Sequence, residues 1–290
     1  MSTPPTLTLP PRARAYRLET ERGTFAVHDA RPDGAPAGTA LLVPGFTGSK
    51  EDFIALLEPL AAAGFRVVAV DGRGQHESPG PREESAYAQR ELALDVLAQA
   101  QTLGGRVHLL GHSLGGLITR AAALLDPAPF RSLTVLSSGP AAIAEAQHAR
   151  LRMLTEALGT LDMEAVWQAM RELDPVPAPD AAAPPEIEAF LHRRWLNTVP
   201  EQLIATGRQM LTEPDRVAEL AAVALPKHVV SGTVDYAWPV PLMDAMAERL
   251  AAHRTVIEGA EHSPNAERPT ATAEALGAFW RSAALGSGPT

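Results

Sequence analysis

The sequence predicts an α/β fold: a mostly parallel central sheet with helices on both faces and a helical insertion past its middle. Three observations carry this. Short apolar runs alternate with amphipathic stretches along most of the chain, the order of a parallel sheet built with crossover helices. A serine framed by glycines, in Gly111-His112-Ser113-Leu114-Gly115-Gly116, stands where one apolar run meets the next helical stretch. From Gly139 to about Leu225 the alternation stops and no strand pattern appears. At 290 residues, 46% of them hydrophobic, the chain has room for one large core that carries an insertion.

Strands are expected at 24–28, 39–43, 66–70, 106–110, 132–136, 227–231 and 254–257. Most are β-branched or Leu-rich and lack internal Gly or Pro, as in strands buried on both faces. Residues 15–18 add an antiparallel edge strand. Ser49-Lys50-Glu51-Asp52 resembles a capping box, opening a helix that runs to Ala63. Further helices are expected at 84–103, 114–125, 241–252 and 270–283. Within the insertion, helical stretches fall near 143–158, 163–173, 185–197 and 200–211, with a Pro/Ala linker at 174–185. The expected organisation is a core of residues 12–139 and 226–285, a helical cap of residues 140–225, and a frayed end at 286–290.

Composition narrows the function classes. A formal net charge of −9 argues against a nucleic-acid partner, which calls for a basic face. The absence of cysteine removes disulfides, thiolate metal sites and cysteine nucleophiles together. Residues 1–11 are polar and proline-rich, unlike a secretory signal. No run of about 20 apolar residues is present, so no membrane span is expected and the cytoplasm is the expected location. No H-E-x-x-H, P-loop or dinucleotide-binding glycine pattern occurs in the right setting, so neither a metal nor a cofactor is expected.

The chemistry concentrates at Ser113. A serine hydroxyl is a poor nucleophile unless it is exposed, rigidly held and paired with a base. A sharp strand-to-helix turn provides the first two, and glycines at 111 and 115 remove side chains that would collide in it. With this motif the chain resembles the α/β-hydrolase superfamily over nearly its whole length. That resemblance implies an acid and then a histidine, each on a loop after a late strand. Asp235 stands in Gly232-Thr233-Val234-Asp235, with Pro239 behind it, and His262 in Glu258-Gly259-Ala260-Glu261-His262. Asp244 is a weaker rival because it falls within an expected helix, and His253 precedes its strand. His112 is expected to pack with its side chain away from the base.

The resemblance further implies an oxyanion hole formed by the backbone N–H groups of Phe46 and Leu114. Pro44 stands where relatives often carry His. Asp71-Gly72-Arg73-Gly74-Gln75-His76-Glu77-Ser78 resembles a structural loop of the family, with Asp71 and Arg73 holding neighbouring loops by ion pairs. His76 replaces a usual glycine there, which stiffens the loop or adds to a pocket wall. In the insertion, Met153, Met163, Met170, Phe190 and Met210 line the pocket or fill the core. Trp167 and Trp195, with Trp238, are the candidate substrate-pocket residues. A serine at the elbow argues against dehalogenases and epoxide hydrolases of this fold, which use Asp. The reading is a serine hydrolase acting on a carboxylic ester of a small molecule. A thioesterase, a carbon–carbon bond hydrolase and a slow-turnover ligand-binding member remain open alternatives.

Overall fold

The computed structural model describes residues 2–173 and 183–285. The expected frayed end at 286–290, and the expected linker up to residue 182, lie outside the described residues. Eight strands form one sheet: β1 (Ala13–Thr20), β2 (Gly23–Ala30), β3 (Gly38–Val43), β4 (Phe65–Val70), β5 (Val107–His112), β6 (Phe130–Leu136), β7 (Lys227–Gly232) and β8 (His253–Ile257). Their order is β1-β2-β4-β3-β5-β6-β7-β8. The β1–β2 and β2–β4 pairs are antiparallel and every other pair is parallel. The edge strand expected at 15–18 is real and longer than its apolar core. β5 begins at Val107 because Gly104, Gly105 and Arg106 all take positive φ, which ends the preceding turn.

Alternation along the strands divides the core into two layers. Leu41, Val43, Leu109 and Val229 face a cluster with Leu117, Ile118 and Met243. Their neighbours Leu42, Leu110 and Val230 face the opposite cluster, with Leu56, Leu60, Leu276 and Trp280. The helices that cover these layers are α1 (Ile54–Ala62), α2 (Gln89–Thr102), α3 (Leu114–Leu125), α9 (Val240–Arg249) and α11 (Pro269–Leu285), with a single turn, α10 (Pro264–Glu267), before the last.

Two expected helices break near their starts. Lys50–Phe53 is a 3-10 turn, and the α-helix begins only at Ile54. Glu84–Tyr87 is another such turn, separated from α2 by Ala88 at φ −53°, ψ 140°. The break has a packing reason: Tyr87 is fully buried and its hydroxyl donates to Pro81 O at 2.7 Å.

Between β6 and β7 lie α4 (Glu145–Leu158), α5 (Met163–Leu173), α6 (Pro185–Asn197), α7 (Pro200–Thr212) and the short α8 (Val217–Ala221), which the sequence pattern did not reveal. This insertion has a small apolar core of its own, built on Leu158, Val166, Ile187, Phe190 and Leu203. Buried ion pairs seat it on the sheet domain. Arg194 of α6 donates to Asp52 Oδ1 at 2.7 Å and to Ser2 O at 2.7 Å. Arg120 of α3 donates to Glu213 at 2.6 Å, just past α7.

Candidate active site

Ser113 sits between β5 and α3 at φ 55°, ψ −122°, a left-handed backbone that a non-glycine residue adopts only under constraint. The constraint is visible in its neighbours. A Cβ on Gly111 would lie 2.1 Å from Gly115 O, and one on Gly115 would lie 2.4 Å from Val43 O. Both positions therefore exclude any side chain. Ser113 N–H donates to Leu136 O at 2.9 Å, so the turn is also tied to the adjacent strand.

Three side chains from three loops then meet. Ser113 Oγ lies 3.1 Å from His262 Nε2, and His262 Nδ1 lies 2.8 Å from Asp235 Oδ2. In the neutral tautomer that suits both contacts, Nδ1–H donates to the carboxylate and the serine O–H donates to Nε2. The other carboxylate oxygen, Asp235 Oδ1, accepts the N–H groups of Ala237 at 2.8 Å and Trp238 at 3.0 Å. Its position is thus fixed by the loop that carries it. All three side chains are buried from bulk solvent. Such a chain of contacts moves a proton from a hydroxyl to an imidazole whose charge a carboxylate supports.

The loop after β3 abuts this turn: a Cβ on Gly45 would lie 3.1 Å from Ser113 Cβ. Phe46, the next residue, lines the cavity above the serine. That cavity has a volume of about 380 Å³. Besides Ser113 and His262, its wall includes Phe46, Ile143, Leu151, Leu154, Met210 and Trp238. The insertion therefore supplies much of an apolar wall, through α4, α5 (by Met170) and α7.

Several expectations change. Trp167 and Trp195 do not line the cavity. Both are buried in the insertion's own core, where Trp195 Nε1–H donates to Met163 O at 2.7 Å. Trp238 does line it, with Nε1–H donating to Ala141 O at 2.9 Å. Met153 is exposed, while Met170 and Met210 reach the cavity. His112 was expected to stand apart from the base, yet its Nε2 lies 2.8 Å from His262 O. A carbonyl oxygen only accepts, so His112 carries its proton on Nε2. Burial, with the nearby His262, pushes this imidazole down to about 3, so it stays neutral.

Asp71 and Arg73 hold separate partners: Lys50 Nζ at 3.0 Å from Asp71, and Asp95 with Arg73. His76 takes φ 42°, packs edge-on against Phe190 at 5.5 Å, and contacts the insertion rather than the cavity. Among the described residues, Glu51, His76 and Glu77 bring donor atoms within 4.8 Å of one another, a set that could hold a cation. Lys50 Nζ already lies 2.8 Å from each of those two carboxylates. Sequence reasoning gave no role to Arg194, named Asp52 only within a capping box and Gln75 only within a structural loop, and of α4 singled out Met153 alone. For α4 a signal existed, because 147, 151 and 154 share a helix face.

The fold and the geometry together define an α/β-hydrolase. The sequence model of the "Alpha/beta hydrolase family" matches residues 40–275, and the chain belongs to that family. It is 31% identical over 214 residues to a pimeloyl-[acyl-carrier protein] methyl ester esterase of Aeromonas salmonicida, covering 72% of this chain and 82% of that one. A protein of Variovorax paradoxus assigned as carbamate hydrolase RutD is 37% identical over 105 residues; that match covers 36% of this chain and only 39% of the relative. Among solved structures, a carboxylesterase of Nitrososphaera gargenis superposes with a TM-score of 0.75 at 20% identity, over 93% of this chain and 100% of that one, a likeness of fold.

Proposed function

We propose that this chain is a serine hydrolase that cleaves carboxylic esters of small molecules through an acyl-enzyme. The observation that carries the reading is the unbroken run from Ser113 Oγ through His262 to Asp235, at 3.1 and 2.8 Å, opening on a mostly apolar cavity whose wall also holds Gln147 and Arg150. Ser113 Oγ attacks the ester carbonyl carbon as His262 Nε2 takes its proton. The developing oxyanion accepts from the N–H groups of Phe46 and Leu114, each worth about 2.7–4 kcal/mol of barrier. Collapse expels the alcohol, which takes the proton from His262. Water then attacks the acyl-enzyme with His262 as base, and the acid leaves.

Residues 140–225 act as a cap that sets specificity. The apolar wall favours an uncharged hydrocarbon part in the substrate, and the methyl ester named for the Aeromonas relative supports the bond class. The test is turnover of a p-nitrophenyl ester series of graded acyl length by the wild type and Ser113→Ala. Wild-type hydrolysis with a loss of at least about 10³-fold in the folded variant is expected. Near-wild-type turnover by Ser113→Ala would end the serine-nucleophile reading.

A further inference from the structure

We propose that Gln75 is a positioning residue that aims one of the two oxyanion donors, an inference that rests on the reading of Phe46 N–H above. Gln75 belongs to the loop after β4 and is buried, with 4% of its surface exposed. Its side-chain oxygen accepts the Gly72 N–H at 2.9 Å, and its amide nitrogen donates to Gly45 O at 2.8 Å. One partner only donates and the other only accepts, so the orientation of the amide is set by chemistry. Gly72 makes room for it: a Cβ there would fall 2.7 Å from Gln75 Oε1. The Gln75 backbone is held as well, its N–H donating to Gly72 O at 3.0 Å while its carbonyl accepts Ser78 N–H at 2.8 Å.

The oxygen that Gln75 grips belongs to the same planar peptide group as Phe46 N–H. In a trans peptide the C=O and N–H point in opposite directions and turn together, and the chain has no cis bonds among its described residues. Fixing Gly45 O therefore fixes the direction of Phe46 N–H. Gly48 N–H also reaches Gly45 O, at 3.2 Å, but from within the same loop, so it moves with what it holds. Gln75 is the anchor from outside. Pro44, just before, offers neither an N–H nor a polar side chain for the purpose.

The test compares the wild type with Gln75→Glu, which keeps the shape but sets an acceptor against Gly45 O, and with Gln75→Leu. Four quantities are read: kcat and KM on the best ester of the series, the inhibition constant of a trifluoromethyl ketone that forms an oxyanion on Ser113, and that of the corresponding secondary alcohol, which forms none. In the folded variants kcat is expected to fall about 10- to 100-fold with KM within about twofold. The ketone should weaken by the same factor and the alcohol not at all. A merely structural role would not separate the two inhibitors. Folded Gln75→Glu with wild-type kcat and wild-type ketone affinity would overturn the proposal while leaving the hydrolase reading intact. A wild type that neither hydrolyses esters nor binds the ketone would overturn both.

Discussion

His112 Nε2–H donates to the main-chain oxygen of His262 at 2.8 Å, so the residue before the candidate nucleophile holds the loop that carries the candidate base. The two imidazoles lie 5.2 Å apart, and a Cβ on Gly45 would come within 3.5 Å of His112 Nδ1. One buried ring thus lies against the turn of Ser113, the loop of His262 and the loop after β3. Replacing it by Leu removes the donor and leaves His262 O without it. Ester kcat is expected to fall about tenfold, in line with a small displacement of a reacting group, and an unchanged kcat in a folded His112→Leu variant would contradict this role.

Asp235 is held by two backbone N–H groups as well as by His262, so its position does not depend on its charge. Asp235→Asn is therefore expected to fold normally and to keep the thermal midpoint within a few degrees. Its amide favours the wrong imidazole tautomer, and kcat should drop by about 10³- to 10⁴-fold. A thermal scan and steady-state kinetics on one preparation check both halves.

Arg194 and Asp52 are each at most 1% exposed as side chains, and their contact bolts the insertion to the sheet domain. Burial pushes the Asp52 carboxyl up even against the Arg194 guanidinium. Arg194→Met leaves this carboxyl buried without its cation, which should cost about 3–5 kcal/mol in urea unfolding. Arg194→Met combined with Asp52→Leu should recover much of that loss, because an apolar pair of similar size needs no compensation. Additive losses in the two single variants and the double would count against a coupled pair.

Burial pushes five imidazoles down: His28 to about 4, His108, His112 and His228 to about 3, and His76 below its ordinary value. The unfolded chain binds these protons below pH ~6.5 while the folded chain does not. Stability contributed by the neutral rings is therefore present above pH ~6.5 and lost as pH falls toward 4. Each ring that stays neutral removes on the order of 1 kcal/mol per pH unit within that window. Urea unfolding at pH 7.5, 6 and 5 should show the folded state weakening steeply, and a flat profile would mean that the rings are not buried neutral.

Much of the fold is legible because it depends on local pattern. Every parallel strand overlaps its apolar run; β3 to β7 are buried along most of their length, as strands covered on both faces must be, while β8 at the sheet edge is only partly buried. The glycines around Ser113 are legible for a similar reason: gaps of 2.1 and 2.4 Å leave no alternative residue. What the sequence hides is which distant segments meet. Alternation along β5 does turn His112 away from Ser113. Ala260, just ahead of His262, packs with Leu110 on that same side, and no local signal reveals that the loop returns there. Trp167 and Trp195 sit at helical spacings that fit a cavity wall or a core equally well, and the packing of α5 on α6 decided for the core. Gln75 carries no motif signal of its own. Its role follows from β3 and β4 being parallel neighbours, which brings their following loops together at one end of the sheet.

The most direct test of the serine-hydrolase account is labelling with a fluorophosphonate, which reacts with an activated serine whatever the natural substrate. Intact-mass and peptide analysis of the wild type should give one adduct, on Ser113, with Ser113→Ala unlabelled under the same conditions. A folded wild type that takes up no probe, or takes it up at another residue, would contradict the account.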